Sequence, residues 1–249
     1  MRNIKLTISY DGAAYKGWQL QKTGSTVQGK LEKAIKEVFG KEHRLHGAGR
    51  TDSGVHAKGQ VAHFKTASRI PVEKISPAFN ALLPDDIVVK RTEEVADKFH
   101  SRFDAKSKLY RYNILNSRQR DPFEERYAWR VPYKLNLTRM RKEAAELLGR
   151  HDFKSFQASD KRERSSVREI STIKLRKKGK MITLDIEGDG FLYNMVRNIV
   201  GTVVDIGRGY FPPVSMKTII AAKDRTKAGP TAPSQGLFLE TIDYGVRPH

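Results

Sequence analysis

Ile4, Leu6, Ile8 and Tyr10 alternate with Lys5, Thr7 and Ser9, the two-residue period of a strand with one face in a core, and Asp11-Gly12 ends it with a turn. Ser25 followed by Gln28 predicts a capping box. Behind it Val27, Leu31, Ile35, Val38 and Phe39 recur at helical spacing up to Gly40, an amphipathic helix with a glycine stop. Gln60 to Phe64 reads as a strand. Pro71, Pro77 and Pro84 punctuate a short helix, and Ile87-Val88-Val89 reads as a further strand. In the second half Leu109 to Leu115 has strand character, with Tyr110, Tyr112 and Ile114 on one face. Asn136 is placed to cap a helix carrying Met140, Ala144, Leu147 and Leu148, stopped by Gly149. Ile173 and Leu175 face Ile182, Leu184 and Ile186 across Lys177-Lys178-Gly179, a hairpin pattern. Leu192, Met195, Val196, Ile199, Val200, Val203 and Val204 form the cleanest helical stripe, closed by Gly207. Leu237 to Ile242 is the last strand. Strands and helices in mixed order, with hairpins present, predict an α+β fold: a mostly antiparallel sheet with helices packed against it.

Composition narrows the function. The 249 residues carry 47 Lys and Arg against 28 Asp and Glu, a formal net charge of +19, which points to a polyanionic partner, nucleic acid first and an acidic membrane surface second. No apolar run is long enough to span a bilayer or to act as a signal-peptide core, so the expectation is a soluble, cytoplasmic protein with no membrane partner. There is no cysteine, which removes thiol nucleophiles, disulfides, iron–sulfur clusters and thiolate zinc sites. His43, His46, His56 and His63 do not fall at zincin or deaminase spacing, so no metal site is expected.

The chemistry concentrates in Gly47-Ala48-Gly49-Arg50-Thr51-Asp52-Ser53-Gly54-Val55-His56-Ala57. Its glycines suit a tight loop presenting Asp52 beside Arg50; the same residues also suit an ordinary turn in which Asp52 accepts backbone N–H groups. A phosphate loop would need Gly-Lys-Ser/Thr opening a helix, and a dinucleotide site a third glycine in its place. Neither is present. A glycosidase would need a second carboxylate. A single carboxylate held ionised by an arginine can still attack an electrophilic carbon. Cations interleave with aromatics at Lys16 and Trp18, Arg102-Phe103 and Lys108-Leu109-Tyr110-Arg111-Tyr112, a mix that serves RNA recognition because cations take phosphates while flat rings stack on bases. Lys161-Arg162-Glu163-Arg164 and Lys174 to Lys180 read as solvated phosphate-tracking surface. These features fit an RNA-modifying enzyme or a non-catalytic RNA-binding module.

Gly49 to His56 resembles the active-site motif of the TruA family of tRNA pseudouridine synthases. Ser9-Tyr10-Asp11-Gly12 with Gly17-Trp18-Gln19, Phe99-His100-Ser101-Arg102-Phe103, Tyr110-Arg111-Tyr112, His151-Asp152-Phe153, Asn194 to Asn198, Ala222-Lys223-Asp224-Arg225 and Gly236-Leu237 resemble the family in order. The resemblance implies isomerisation of uridine to pseudouridine at positions 38, 39 and 40 of the tRNA anticodon stem-loop, without cofactor or metal, by a homodimer. It implies Asp52 as the catalytic carboxylate, Tyr110 packing on the target base, Arg50 assisting base extrusion, Arg197 as the basic partner of the aspartate, and Leu237 as an apolar wall. It also implies a pseudouridine synthase fold of two similar α/β halves sharing a central sheet, with 1–105 carrying the Asp52 loop and 106–249 carrying Tyr110, Arg197 and Leu237.

Overall fold

A computed structural model describes residues 1–159 and 165–245. In chain order the elements are β1 (Arg2–Tyr10), α1 (Val27–Phe39), β2 (His46–Gly47), β3 (His56–Thr66), α2 (Val72–Asn80), β4 (Ile87–Val95), β5 (Ser107–Leu115), β6 (Trp129–Arg130), α3 (Leu137–Ala145), β7 (Gly149–Asp152), β8 (Val167–Lys178), β9 (Met181–Gly188), α4 (Met195–Gly207), α5 (Ser215–Ala222) and β10 (Leu237–Asp243). They belong to two compact units: Met1–Lys106 together with the chain from Phe238 onward, and Ser107–Leu237. The sheet is mixed and mostly antiparallel, as the pattern predicts. No helix among the described residues is long and apolar enough to cross a membrane. The basic run Lys161-Arg162-Glu163-Arg164 lies outside the described residues.

In the first unit β1 lies between β4 and β3, antiparallel to both. β10 adds to β3 in parallel, Phe238 opposite His56 and Leu239 opposite Ala57, and the short β2 pairs with the other part of β3. The alternation along β1 buries Ile4, Leu6, Ile8 and Tyr10. Phe39 at the end of α1, Phe64 of β3 and Phe79 of α2 meet ring to ring at 5.5–6.2 Å, which fixes both helices on the sheet; each fully buried phenylalanine contributes up to ~3 kcal/mol. The predicted capping box is replaced by a simpler cap. Thr26, not Ser25, has extended backbone and accepts from the Gly29 N–H at 3.2 Å. Gln28 instead turns inward to accept from Leu20 N and donate to Leu45 O.

In the second unit β5, β9, β8 and β7 follow one another antiparallel, with β6 parallel on β5. Lys178 pairs with Met181, so the predicted hairpin turns through Gly179-Lys180. α3 is capped by Asn136, whose side chain accepts from Arg139 N at 3.0 Å. It ends at Ala145, short of the expected stop, because Gly149 already opens β7 and Leu148 is exposed. α5 has no counterpart in the periodicity. Its start is held by a distant residue: the buried Glu143 carboxylate of α3 accepts from Val214 N and Met216 N at 2.6 and 2.9 Å.

One face of β5, β9 and β8 buries Tyr110, Tyr112, Ile114, Leu184 and Ile186. On the other, buried Asp185 accepts two hydrogen bonds from Arg111, at 2.7 and 3.0 Å, and one from Arg176 at 2.7 Å. Burial alone raises its pKa, but hydrogen bonds and charge from the two arginines outweigh it and leave the carboxyl below the ordinary range. A folded-state pKa below the unfolded one gives stability that is present above the unfolded value of about 3.9 and lost as pH falls through the folded value. Asp185→Asn is therefore expected to melt lower at neutral pH, by roughly 1–3 kcal/mol, and to lose less stability than wild type on acidification. Thermal melts from pH 7 to pH 3 measure both. A parallel decline of the two proteins would remove Asp185 from the acid response.

Candidate active site

Asp52 sits at the crest of the connection from β2 to β3, half-buried, between buried Thr51 and exposed Ser53. What fixes it is a second segment, Tyr10 at the end of β1 and residues 11–19 after it, that straps the loop. Trp18 N donates to Thr51 O at 3.1 Å and Gly54 N to Tyr15 O at 3.3 Å. Ser53 Oγ donates to Tyr15 O at 3.2 Å. Thr51 Oγ1 shares a buried 2.8 Å hydrogen bond with the Tyr10 hydroxyl, whose pKa burial pushes up to about 12 despite hydrogen bonds to Thr51 and Gln60. Thus Asp52 is flanked on both sides by anchored residues.

The strap needs glycine where it crosses Thr51 and Asp52. Gly17 has φ +86°, and a Cβ there would stand 2.5 Å from Thr51 O and 3.1 Å from the Asp52 carbonyl carbon. Backbone meets backbone. Below the loop, Gly12 N donates to His56 Nδ1 at 3.0 Å, and Asp11 Oδ1 lies 3.0 Å from the same nitrogen. The Phe238 ring stacks on His56 at 4.6 Å. Gln60 donates to Gly49 O at 2.9 Å, and exposed Arg50 donates through Nε to Gln19 Oε1 at 3.1 Å. Ser9 to Gly12 and Gly17 to Gln19 carry part of the family resemblance, and Asp11-Gly12 a turn, but their packing against the Asp52 loop is not written in them; the Asp-Gly and Gly-Trp pairs are the signal for a chain that turns sharply against another backbone.

In the second unit, Tyr110 lies on β5 opposite Ile186, only 7% exposed, with its ring edge-on to Phe191 at 5.1 Å. Leu237 is buried. Arg197 stands in the first turn of α4. Its Nε donates to Ala232 O at 2.7 Å and its Nη1 to Asn194 Oδ1 at 3.1 Å, while Ala232 N returns to Arg197 O. The loop that receives Arg197 is itself seated on α4: Gly229 N donates to Thr202 Oγ1 at 2.9 Å, and Pro230 O approaches so closely that only Gly201 fits beneath it. Arg225 ties the loop down, donating to Gly229 O, Asn198 Oδ1 and Thr231 Oγ1 at 2.9–3.2 Å. Arg225 and Asn198, the latter fully buried, are positioning residues; from sequence they stood only inside motifs. No group of three or more His, Cys, Asp or Glu among the described residues is arranged to hold a metal ion.

The profile of the family described as tRNA pseudouridine synthase matches residues 6–104 and 144–245, which include Arg50, Asp52, Arg197 and Leu237 but not Tyr110. The tRNA pseudouridine synthase A of Thermoanaerobacter pseudethanolicus is 49% identical over 244 residues, covering 98% of this chain and 100% of that protein. The enzymes of the same name from Ruminiclostridium cellulolyticum and Clostridium acetobutylicum are 49% and 46% identical, again over 98% of this chain and 100% of theirs. Sequence matched across both units at this level leaves one assignment: the chain belongs to the tRNA pseudouridine synthase family and is an isomerase of that class.

Proposed function

We propose that this chain isomerises uridine to pseudouridine at positions 38, 39 and 40 of the tRNA anticodon stem-loop, acts as a homodimer, and uses Asp52 as its catalytic carboxylate. The reaction breaks the bond from N1 to C1′ and joins C1′ to C5; N1 gains a proton and C5 gives one to solvent, so nothing is consumed. Attack of an ionised carboxylate at C1′, its addition at C6, and a glycal route all use the same group. The observation that supports Asp52 most is its setting: a half-exposed carboxylate on a loop whose neighbours on both sides are hydrogen-bonded to a second segment. Such preorganisation suits a group that must meet a reacting carbon within a few tenths of an ångström. A uridine in a stem must be everted first, at a cost of a few kcal/mol that is least at a stem–loop junction. Arg50, exposed at the loop's edge, is suited to hold the displaced backbone, and Arg197 takes the role of basic partner that the family resemblance assigns to it. Leu237 walls the base.

Tyr110 is the residue that packs on the everted ring. Tyr110→Ala is expected to lower turnover by roughly 10²-fold, as a misplaced reacting group does, while tRNA affinity, dominated by phosphate contacts, changes by less than about 5-fold. Equal losses in both would make Tyr110 plain core. The assignment as a whole is tested by mapping pseudouridine, nucleotide by nucleotide, in unmodified tRNA incubated with the purified chain. New pseudouridine confined to positions 38–40 is expected. Modification elsewhere would overturn the site, and none at all would overturn the activity.

A further inference from the structure

The turn after β4 presents an aromatic side chain outward on a base that is fully built. Phe103 is 75% exposed. Its ring lies 4.3 Å from the His100 ring, inclined by 32°, and the Arg102 guanidinium stands 5.8 Å from its centroid. Beneath it three imidazoles pack together: His100 lies 4.7 Å from His63 and 5.6 Å from His46, and His46 stacks on His63 at 5.1 Å. Burial and the neighbouring imidazoles hold His63 down to about 4, so this ring packs uncharged at neutral pH.

Hydrogen bonds fix this turn from several directions. Arg102 N and Phe103 N point to His100 Nδ1 at 3.1 and 3.4 Å, and His100 N donates to Asp104 Oδ2 at 2.8 Å. Ser101 Oγ donates to His46 O at 2.6 Å, and the Tyr244 hydroxyl to Ser101 O at 2.7 Å. A phenylalanine held in water by so ordered a turn costs free energy that an apolar partner would return. The partner's charge is set by the surroundings. Exposed Arg102 lies against the ring and exposed Arg44 acts on His46 beneath it, with Asp104 and Glu32 the acids beside them, on a chain of net charge +19. The platform also continues the Asp52 site, since His46 lies on β2, which runs into the Arg50 loop.

We infer that Phe103, backed by His100 and flanked by Arg102, is a stacking platform for an unpaired base of the tRNA substrate, apart from the uridine that reacts. A flat ring beside cations takes an unpaired base by stacking and the adjoining phosphate by charge. The inference rests on the reading that this chain acts on tRNA. The test is the dissociation constant for unmodified tRNA across a salt series, with wild type, Phe103→Ala and Phe103→Trp, beside sedimentation of each protein and pseudouridine formation by wild type. Phe103→Ala is expected to bind roughly 5- to 150-fold more weakly, the range for one stacked base, with the salt dependence unchanged because no phosphate contact is lost. Phe103→Trp should keep wild-type affinity, and its added indole fluorescence should be quenched by tRNA. Affinity of Phe103→Ala within twofold of wild type overturns the platform, as does a fall in sedimenting mass, which would mean that a second copy covers Phe103. A wild-type chain that forms no pseudouridine overturns the underlying reading instead.

Discussion

Gly17→Ala is expected to give a protein that melts lower and turns over far more slowly, although the residue carries no functional group. At φ +86° an alanine pays about 1–2 kcal/mol for the left-handed backbone. Its Cβ would also stand 2.5 Å from Thr51 O, and that neighbour cannot swing away because its carbonyl already accepts from Trp18 N. The two costs together are put at roughly 3 kcal/mol, or about 6–12 °C in melting temperature for a chain of this size. The displaced atoms belong to Thr51 and Asp52, so the damage reaches the carboxylate. A shift of about 1 Å there costs on the order of 10²-fold in rate. Calorimetry and single-turnover kinetics on the same preparation separate these effects. A lower melting temperature with unchanged turnover would show that the strap supports the fold and not the position of Asp52.

The strap also shows where sequence stops being readable. β1, α1, β9 and α4 were legible because half-buried strands and helices write their burial as periods of two and 3.6. β3 was read from Gln60 and begins at His56; Lys58 and Gly59 look like loop, yet Gly59 is there because the Glu240 carbonyl of β10 occupies the space of a side chain. α5 was missed because its start is capped by Glu143, some seventy residues earlier in the chain. Asp52 was visible as a lone acid in a glycine-rich run. What holds it was not, since Tyr10–Thr51 and Trp18–Thr51 are contacts across more than thirty residues. In the second unit, likewise, Arg197 was named from its motif while the Arg225 and Asn198 network that seats its partner loop needed the fold.

Asp52→Asn is expected to have the largest effect of all. Asparagine keeps the size of the side chain and the loop's backbone hydrogen bonds, so the protein should fold as wild type does. It removes the negative charge and with it the carboxylate's capacity to attack carbon or take a proton; losing a catalytic side chain costs other enzymes about 10⁴–10⁶-fold. A loss of roughly 10³-fold or more is expected here. Affinity for tRNA should hold or tighten slightly, because phosphate contacts dominate it and one like charge is gone. Release of tritium from C5 of labelled uridine in tRNA follows the isomerisation itself, because C5 must shed its hydrogen to bond with C1′. Wild type is predicted to release label from its target uridines, and Asp52→Asn, equally folded and equally bound to tRNA, to stay at background. Tritium release by that variant at the wild-type rate would contradict the account.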